Sequence, residues 1–226
     1  NEVMRGCKYV LSVASPVFFE IPEDENEVIR PAIEGIQRIL RAAEKENVKK
    51  VVMTSNFGAV GFSNKDKSTI TTEENWTNQD EPGLSAYEKS KLLAEKAAWD
   101  FVNNKDNQIE FATINPVAVL GKSMDSHVSG SFDMIKNIMN GSMKRVPNVP
   151  LNVVDVRDVA RLHVLAMKSD DANGKRFIAS ADGQITLAEI AKLVKNKRPE
   201  LSEKVSTKTL PNFAINIGAY FNKEAK

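Results

Sequence analysis

Apolar and polar positions in the first 120 residues alternate between two patterns. Three short runs are apolar at successive positions and rich in β-formers: Tyr9 to Pro16, "VKKVVMTSN" at 48–56, and "IEFATINPVAVLG" at 109–121. That is the pattern of strands buried on both faces. Between the first two, Glu25 to Glu46 carries Val28, Ile29, Ala32, Ile36, Ile39, Leu40 and Ala43 near helical spacing, with charged residues opposite. Pro31 lies inside this stretch and predicts a helix that starts there or kinks just before it. A polar loop from about 63 to 84 leads to a second helix, where Ser85 and Glu88 form a capping box and Leu92, Leu93 and Ala97 supply an apolar stripe. The order strand, helix, strand, loop, helix, strand predicts an α/β fold with a parallel sheet and right-handed crossovers.

After about residue 122 the character changes. The spacing predicts a helix over Ser129 to Met143 with Phe132, Ile135, Ile138 and Met139 inward. "LNVVDVRDVARLHVLAM" (151–167) reads as a short strand running into a helix with Asp155 as N-cap. "KRFIAS" (175–180) reads as a strand, and "TLAEIAKLV" (186–194) as a helix with a capping box from Thr186 to Glu189. These elements form a smaller lobe, 123–226, interleaved with the last strands of the sheet begun in 1–122.

Composition narrows the function classes. A formal charge of +1 gives no electrostatic case for nucleic acid or an anionic membrane. The single cysteine, Cys7, excludes an internal disulfide and fits a reducing compartment. No apolar run reaches the length of a membrane span, and no signal peptide opens the chain, so a cytoplasmic protein is expected. The abrupt first strand after Asn1 and the amphipathic stop at "FAINIGAYFNKEAK" read as the middle of a longer chain.

The candidate chemistry gathers at strand tails, where ligands sit in parallel α/β sheets. The three tails, Ala14-Ser15-Pro16, Thr54-Ser55-Asn56 and Asn115-Pro116, are small or polar. In the helix that follows the loop, Tyr87 and Lys91 share a face. An ammonium beside a phenol favours phenolate and lowers the tyrosine pKa, which suits a proton donor to a carbonyl. This pair is weak evidence alone and gains force from the tails. Phe57, Phe62, Trp76, Met124 and Met134 are candidates for an apolar substrate wall, and His127 for a substrate-side group. His163 falls at helical spacing with Val156, Val159 and Ala160 and reads as a packed histidine. Two isolated histidines and one cysteine leave no metal cluster.

"VLSVASP", "PAIEGIQRILRAAEKENVKKVVMTSN", "YEKSK", "INPVAVLG" and "VDVRDVARLHVLAM" occur in an order that resembles the extended short-chain dehydrogenases/reductases. The nearer likeness is to the dihydroflavonol 4-reductase, cinnamoyl-CoA reductase and aldehyde reductase branch. The resemblance implies a Rossmann-like doubly wound sheet whose first strands lie outside this sequence, with 1–122 a partial dinucleotide-binding domain and 123–226 a substrate lobe. It implies hydride transfer from NADP(H), rather than NAD(H), to a small-molecule carbonyl. Tyr87 would be the general acid, and Lys91 would hold the nicotinamide ribose. Asn115, Pro116 and Val117 would meet the carboxamide, with Ala14, Ser15, Pro16 and Thr54 along the cofactor.

Two departures stand out. The family's substrate-bonding Ser is replaced by Asn56 in the run Thr54-Ser55-Asn56; an Asn amide can still donate, and Ser55 is the second candidate. The Gly-rich phosphate turn and the residue that selects the cofactor are not in this sequence, so the chain by itself is expected to be incomplete for activity. Other readings are an NAD-dependent sugar-nucleotide epimerase or dehydratase and a non-catalytic dinucleotide sensor. The helices at about 25–46 and 85–103 are candidate faces for a homodimer.

Overall fold

The apolar runs become the strands of one parallel sheet in a computed structural model that describes residues 2–16, 22–66, 68–104, 108–124 and 130–211. In chain order the elements begin β1 (Tyr9–Ser12), α1 (Asn26–Lys45), β2 (Lys50–Thr54), α2 (Gly58–Gly61), α3 (Ala86–Val102) and β3 (Glu110–Pro116). There follow β4 (Ala118–Leu120), α4 (Asp133–Met139), β5 (Val146–Pro147), β6 (Pro150–Leu151) and β7 (Val153–Asp155). The last are α5 (Val156–Lys168), β8 (Lys175–Ala179), β9 (Ile185–Thr186), α6 (Leu187–Lys197) and β10 (Thr209–Leu210). Among the described residues no helix is long and apolar enough to cross a membrane.

The described residues divide into two compact units. One takes the chain up to Val117 together with Arg157–Ala179; the other takes Ala118–Val156 and the chain from Ser180 onward. The first unit holds the sheet β1-β2-β3-β8, parallel throughout. Its register sets Ser12 beside Met53, Met53 beside Thr113, and Thr113 beside Arg176. Side chains alternate across a sheet, so Val51, Met53, Phe111 and Thr113 share one face. Ala32, Ile36, Leu40 and Ala43 of α1 and Ala94 and Ala98 of α3 close over it. On the other face, Lys50 reaches the C-terminal carbonyls of α5, with Nζ 2.5 Å from Ser169 O and 3.4 Å from Ala166 O. A cation there complements the negative end of the helix dipole.

Among the described residues β1 is paired only with β2, and Val13 just beyond it is 60 % exposed. One expectation needs correction. Of the two outcomes expected at Pro31, a helix start there is not found: the helix starts at Asn26 and runs through the proline. Proline there removes one backbone bond, and the packing of Val28, Ile29 and Ala32 on either side outweighs that loss.

In the second unit β4 pairs with β7 and β5 with β10, both parallel, and β6 pairs with β9 antiparallel. Its core is Ile138, Val146, Leu187, Ile190, Ala191 and Val205. Met134 packs against that core, which accounts for its apolar character without a substrate. The predicted box closes α6, Thr186 Oγ1 accepting the Glu189 N–H and Glu189 the Thr186 N–H.

Candidate functional site

The site is built on the first three turns of α3. Ser85 is extended and caps the helix: its Oγ accepts the Glu88 N–H at 3.2 Å, and Glu88 accepts the Ser85 N–H at 3.0 Å. That fixed start sends Tyr87, Lys91 and Glu95, spaced four apart, down one stripe of the helix. Tyr87 is half-buried; Lys91 is only 4 % exposed and Glu95 is 0 % exposed. The Lys91 ammonium donates to the carbonyl of Thr54 at 3.4 Å and has no salt-bridge partner among the described residues. Burial pushes Lys91 down to about 8, against the pull of the Glu95 carboxylate, which raises it. The expected acidification of Tyr87 is not found. Burial of the phenol raises its pKa, and the Glu88 carboxylate beside it adds to the rise.

At the tail of β2 the chain presents two adjacent polar side chains in opposite senses. Ser55 is 2 % exposed, and its hydroxyl donates to Glu95 Oε2, so it faces the interior and not a ligand. This removes Ser55 as a donor to substrate. Asn56 is half-buried, and its Oδ1 accepts the backbone N–H of Gly58 at the start of α2. Because an N–H must meet the oxygen of the amide, the other terminus is Nδ2, a donor with no hydrogen bond among the described residues. Gly58 is required for this turn: a Cβ there would lie 2.6 Å from Asn56 Oδ1.

The tail of β3 is tied to the same place. Asn115 is buried; its Nδ2 donates to Glu95 Oε2 at 2.7 Å and approaches the Asn56 carbonyl at 3.3 Å, while Thr113 Oγ1 lies 2.9 Å from its Oδ1. The Phe57 N–H donates to Pro116 O at 2.9 Å, and the Val117 N–H to Ala179 O at 3.1 Å. Ala14, Ser15 and Pro16 leave β1 beside the β2 tail by register, Ala14 exposed and the others half-buried. On the opposite face of the sheet, His163 Nδ1 meets Val159 O at 2.8 Å, which can only accept. Nε2 therefore accepts from the Thr54 hydroxyl at 2.6 Å. His163 is packed, as its spacing implied.

The substrate-wall candidates fare unevenly. The ring of Phe57 folds over Gly61, where a Cβ would overlap it. Trp76 is no wall: its ring lies 3.6 Å from the Arg176 guanidinium, which uses it as a lid. Met124 is fully exposed, and His127 lies outside the described residues. No group of three or more His, Cys, Asp or Glu among the described residues is arranged for a metal.

Glu95, Thr113 and Arg176 were not singled out by sequence, yet they organise the site. The available signal was Glu95 itself, an acid on the stripe that α3 must bury.

A parallel sheet whose strand tails meet a Tyr-x-x-x-Lys helix defines the extended short-chain dehydrogenases/reductases. The chain belongs, within them, to the 3-beta hydroxysteroid dehydrogenase/isomerase family, whose pattern it matches over residues 1–184. It is 32 % identical over 206 residues to cinnamoyl-CoA reductase CAD2 of Medicago truncatula, an alignment covering 89 % of this chain and 62 % of that protein. It is 33 % identical over 216 residues to the NADPH-dependent methylglyoxal reductase GRE2 of Saccharomyces cerevisiae, covering 87 % and 63 %. The crystal structure of yeast methylglyoxal/isovaleraldehyde reductase Gre2 complexed with NADPH superposes with a TM-score of 0.79 at 30 % identity, over 88 % of this chain and 64 % of that one. The chain thus spans a little over three fifths of the length of these relatives.

Proposed function

We propose that the intact protein is an NADP(H)-dependent reductase that converts a small-molecule aldehyde or ketone to the alcohol. One observation carries this reading. Lys91 is a buried ammonium with three donors, of which one is engaged, on the same helix stripe as a phenol whose hydroxyl has no hydrogen bond among the described residues. Burying a cation with no ion-pair contact is costly, and such sites recur where a ligand binds.

The residues fit a nicotinamide cofactor at its reactive end. Lys91 would hold the ribose hydroxyls, and the Asn115–Val117 and Thr54–Asn56 tails would line the ring. Bound NADPH would supply the hydride; the yeast relative's name and its structure with NADPH support that choice over NADH. Tyr87, kept protonated by its raised pKa, gives its proton to the carbonyl oxygen as the carbon is reduced. The phenolate left behind regains a proton from solvent. Asn56 Nδ2 donates to the same oxygen as it gains charge.

The test is NADPH oxidation by the intact protein with simple aldehydes, compared with Tyr87→Phe. Loss of the general acid should lower kcat by roughly 10²–10⁴, with NADPH binding retained. Equal turnover by Tyr87→Phe would overturn the reading.

A further inference from the structure

Four donors converge on Glu95, which takes no step in the reaction proposed above, and a fifth, the hydroxyl of Thr113, is shared between it and Asn115 Oδ1. Glu95 Oε1 is met by Arg176 Nε at 2.7 Å, Thr113 Oγ1 at 3.1 Å and Trp99 Nε1 at 3.3 Å. Its Oε2 is met by Asn115 Nδ2 at 2.7 Å and by the Ser55 hydroxyl. These donors come from the tail of β2, from β3, from β8 and from α3 itself. Packing alone does not require this arrangement, because an apolar side chain on the same stripe would bury without an ion pair.

The second half of the pair extends the network. Arg176 is held by Glu95 on its Nε edge, and its Nη1 donates to Glu73 O at 2.8 Å and Asn75 O at 2.6 Å. Its face is covered by Trp76. The loop before α3 is thereby tied to the carboxylate inside the sheet.

We infer that Glu95 is a positioning residue, setting the two strand tails that carry Asn56 and Asn115 against the Tyr87–Lys91 stripe. The catalytic consequence rests on the reductase reading; the structural one does not. The tails have only two direct backbone links here, Ser55 N–H to Ile114 O at 2.8 Å and Phe57 N–H to Pro116 O at 2.9 Å, and Asn56 sits between them. Glu95 clamps both sides of that pair, through Ser55 on one and Asn115 on the other. Asn115 then reaches back to the Asn56 backbone carbonyl, so the placement of the Asn56 main chain depends on a carboxylate two links away.

The experiment is Glu95→Gln in the intact protein, read first by backbone hydrogen exchange. Gln keeps the volume but sets an NH₂ against donors and removes the charge that Arg176 answers. A positioning role predicts that the Ser55 and Phe57 amides exchange about tenfold faster or more, while those of Val51 to Met53 keep their protection. It also predicts that kcat falls roughly tenfold to a hundredfold with carbonyl KM within about twofold. Should Glu95→Gln fail to fold, Thr113→Val removes one donor and leaves Asn115 Oδ1 without it, and the same local exchange pattern is expected. Uniform acceleration across β2, or unchanged protection at Ser55 and Phe57, overturns the inference. If the wild-type protein oxidises no NADPH with any carbonyl, the reductase reading fails while the exchange pattern still decides the role of Glu95.

Discussion

The Lys91 ammonium lies 3.4 Å from the carbonyl oxygen of Thr54, so the cation of α3 is moored to the tail of β2. It is held there out of water, and burial brings its pKa from 10.5 down to about 8. Among the described residues the charge acting on it is that of Glu95, which raises it. The unfolded chain keeps the ordinary value. Below about 8 both states are charged, and the native state bears the whole desolvation penalty. Between about 8 and 10.5 the native state gives up its proton first, so stability rises with pH across that window. Relative to Lys91→Met, which has nothing to titrate, the wild type should gain on the order of 3 kcal/mol over this range in urea unfolding. If Lys91 holds the ribose, as proposed, NADPH affinity should move the other way, weakening by about tenfold from pH 7 to 9 as the cation is lost, and Lys91→Met should bind weakly at every pH.

Much of this site was legible because its signals are local. The Ser85–Glu88 box fixed where α3 begins, and four-residue spacing then put Tyr87 and Lys91 on one side. Strand alternation correctly separated Ser55 from Asn56. What escaped was set by burial and by contacts distant in sequence. Arg176 and Glu95 lie 81 positions apart, and no spacing rule joins them. The direction of the Tyr87 shift depends on how much protein covers the phenol, which the Tyr/Lys spacing does not report. Trp76 looked like a substrate wall because an aromatic in a loop gives no sign of the guanidinium beneath it.

Lys50 offers a control that separates folding from chemistry. It opens β2, at the end of the strand away from the site, and is 1 % exposed. Its ammonium is 2.9 Å from Glu110 and caps the carbonyls at the end of α5. Lys50→Met would leave those carbonyls and part of the Glu110 charge without their partner, at a cost of about 3 kcal/mol. Denaturant melts should report that loss, whereas kcat and KM of the folded fraction should stay within about twofold of wild type.

Asn56 is where this chain departs from the serine of its family, and the geometry allows a test that leaves the turn intact. The Gly58 N–H donates to Oδ1, and that oxygen survives in Asn56→Asp. What changes is the other terminal atom, from an N–H donor to a carboxylate oxygen. If Asn56 serves only to start α2, Asp should do as well, because Asp and Asn are interchangeable as acceptors at such turns. If Nδ2 bonds the substrate oxygen as charge develops on it, Asp sets a negative acceptor against a forming alkoxide. The expected outcome is a fall in kcat of roughly 10²–10³ or more, with thermal stability close to wild type. Asn56→Ser, which restores a donor, should keep activity within about tenfold of wild type. Steady-state kinetics and a thermal melt on the three proteins are sufficient, and wild-type turnover by Asn56→Asp would show that the amide takes no part in the reaction.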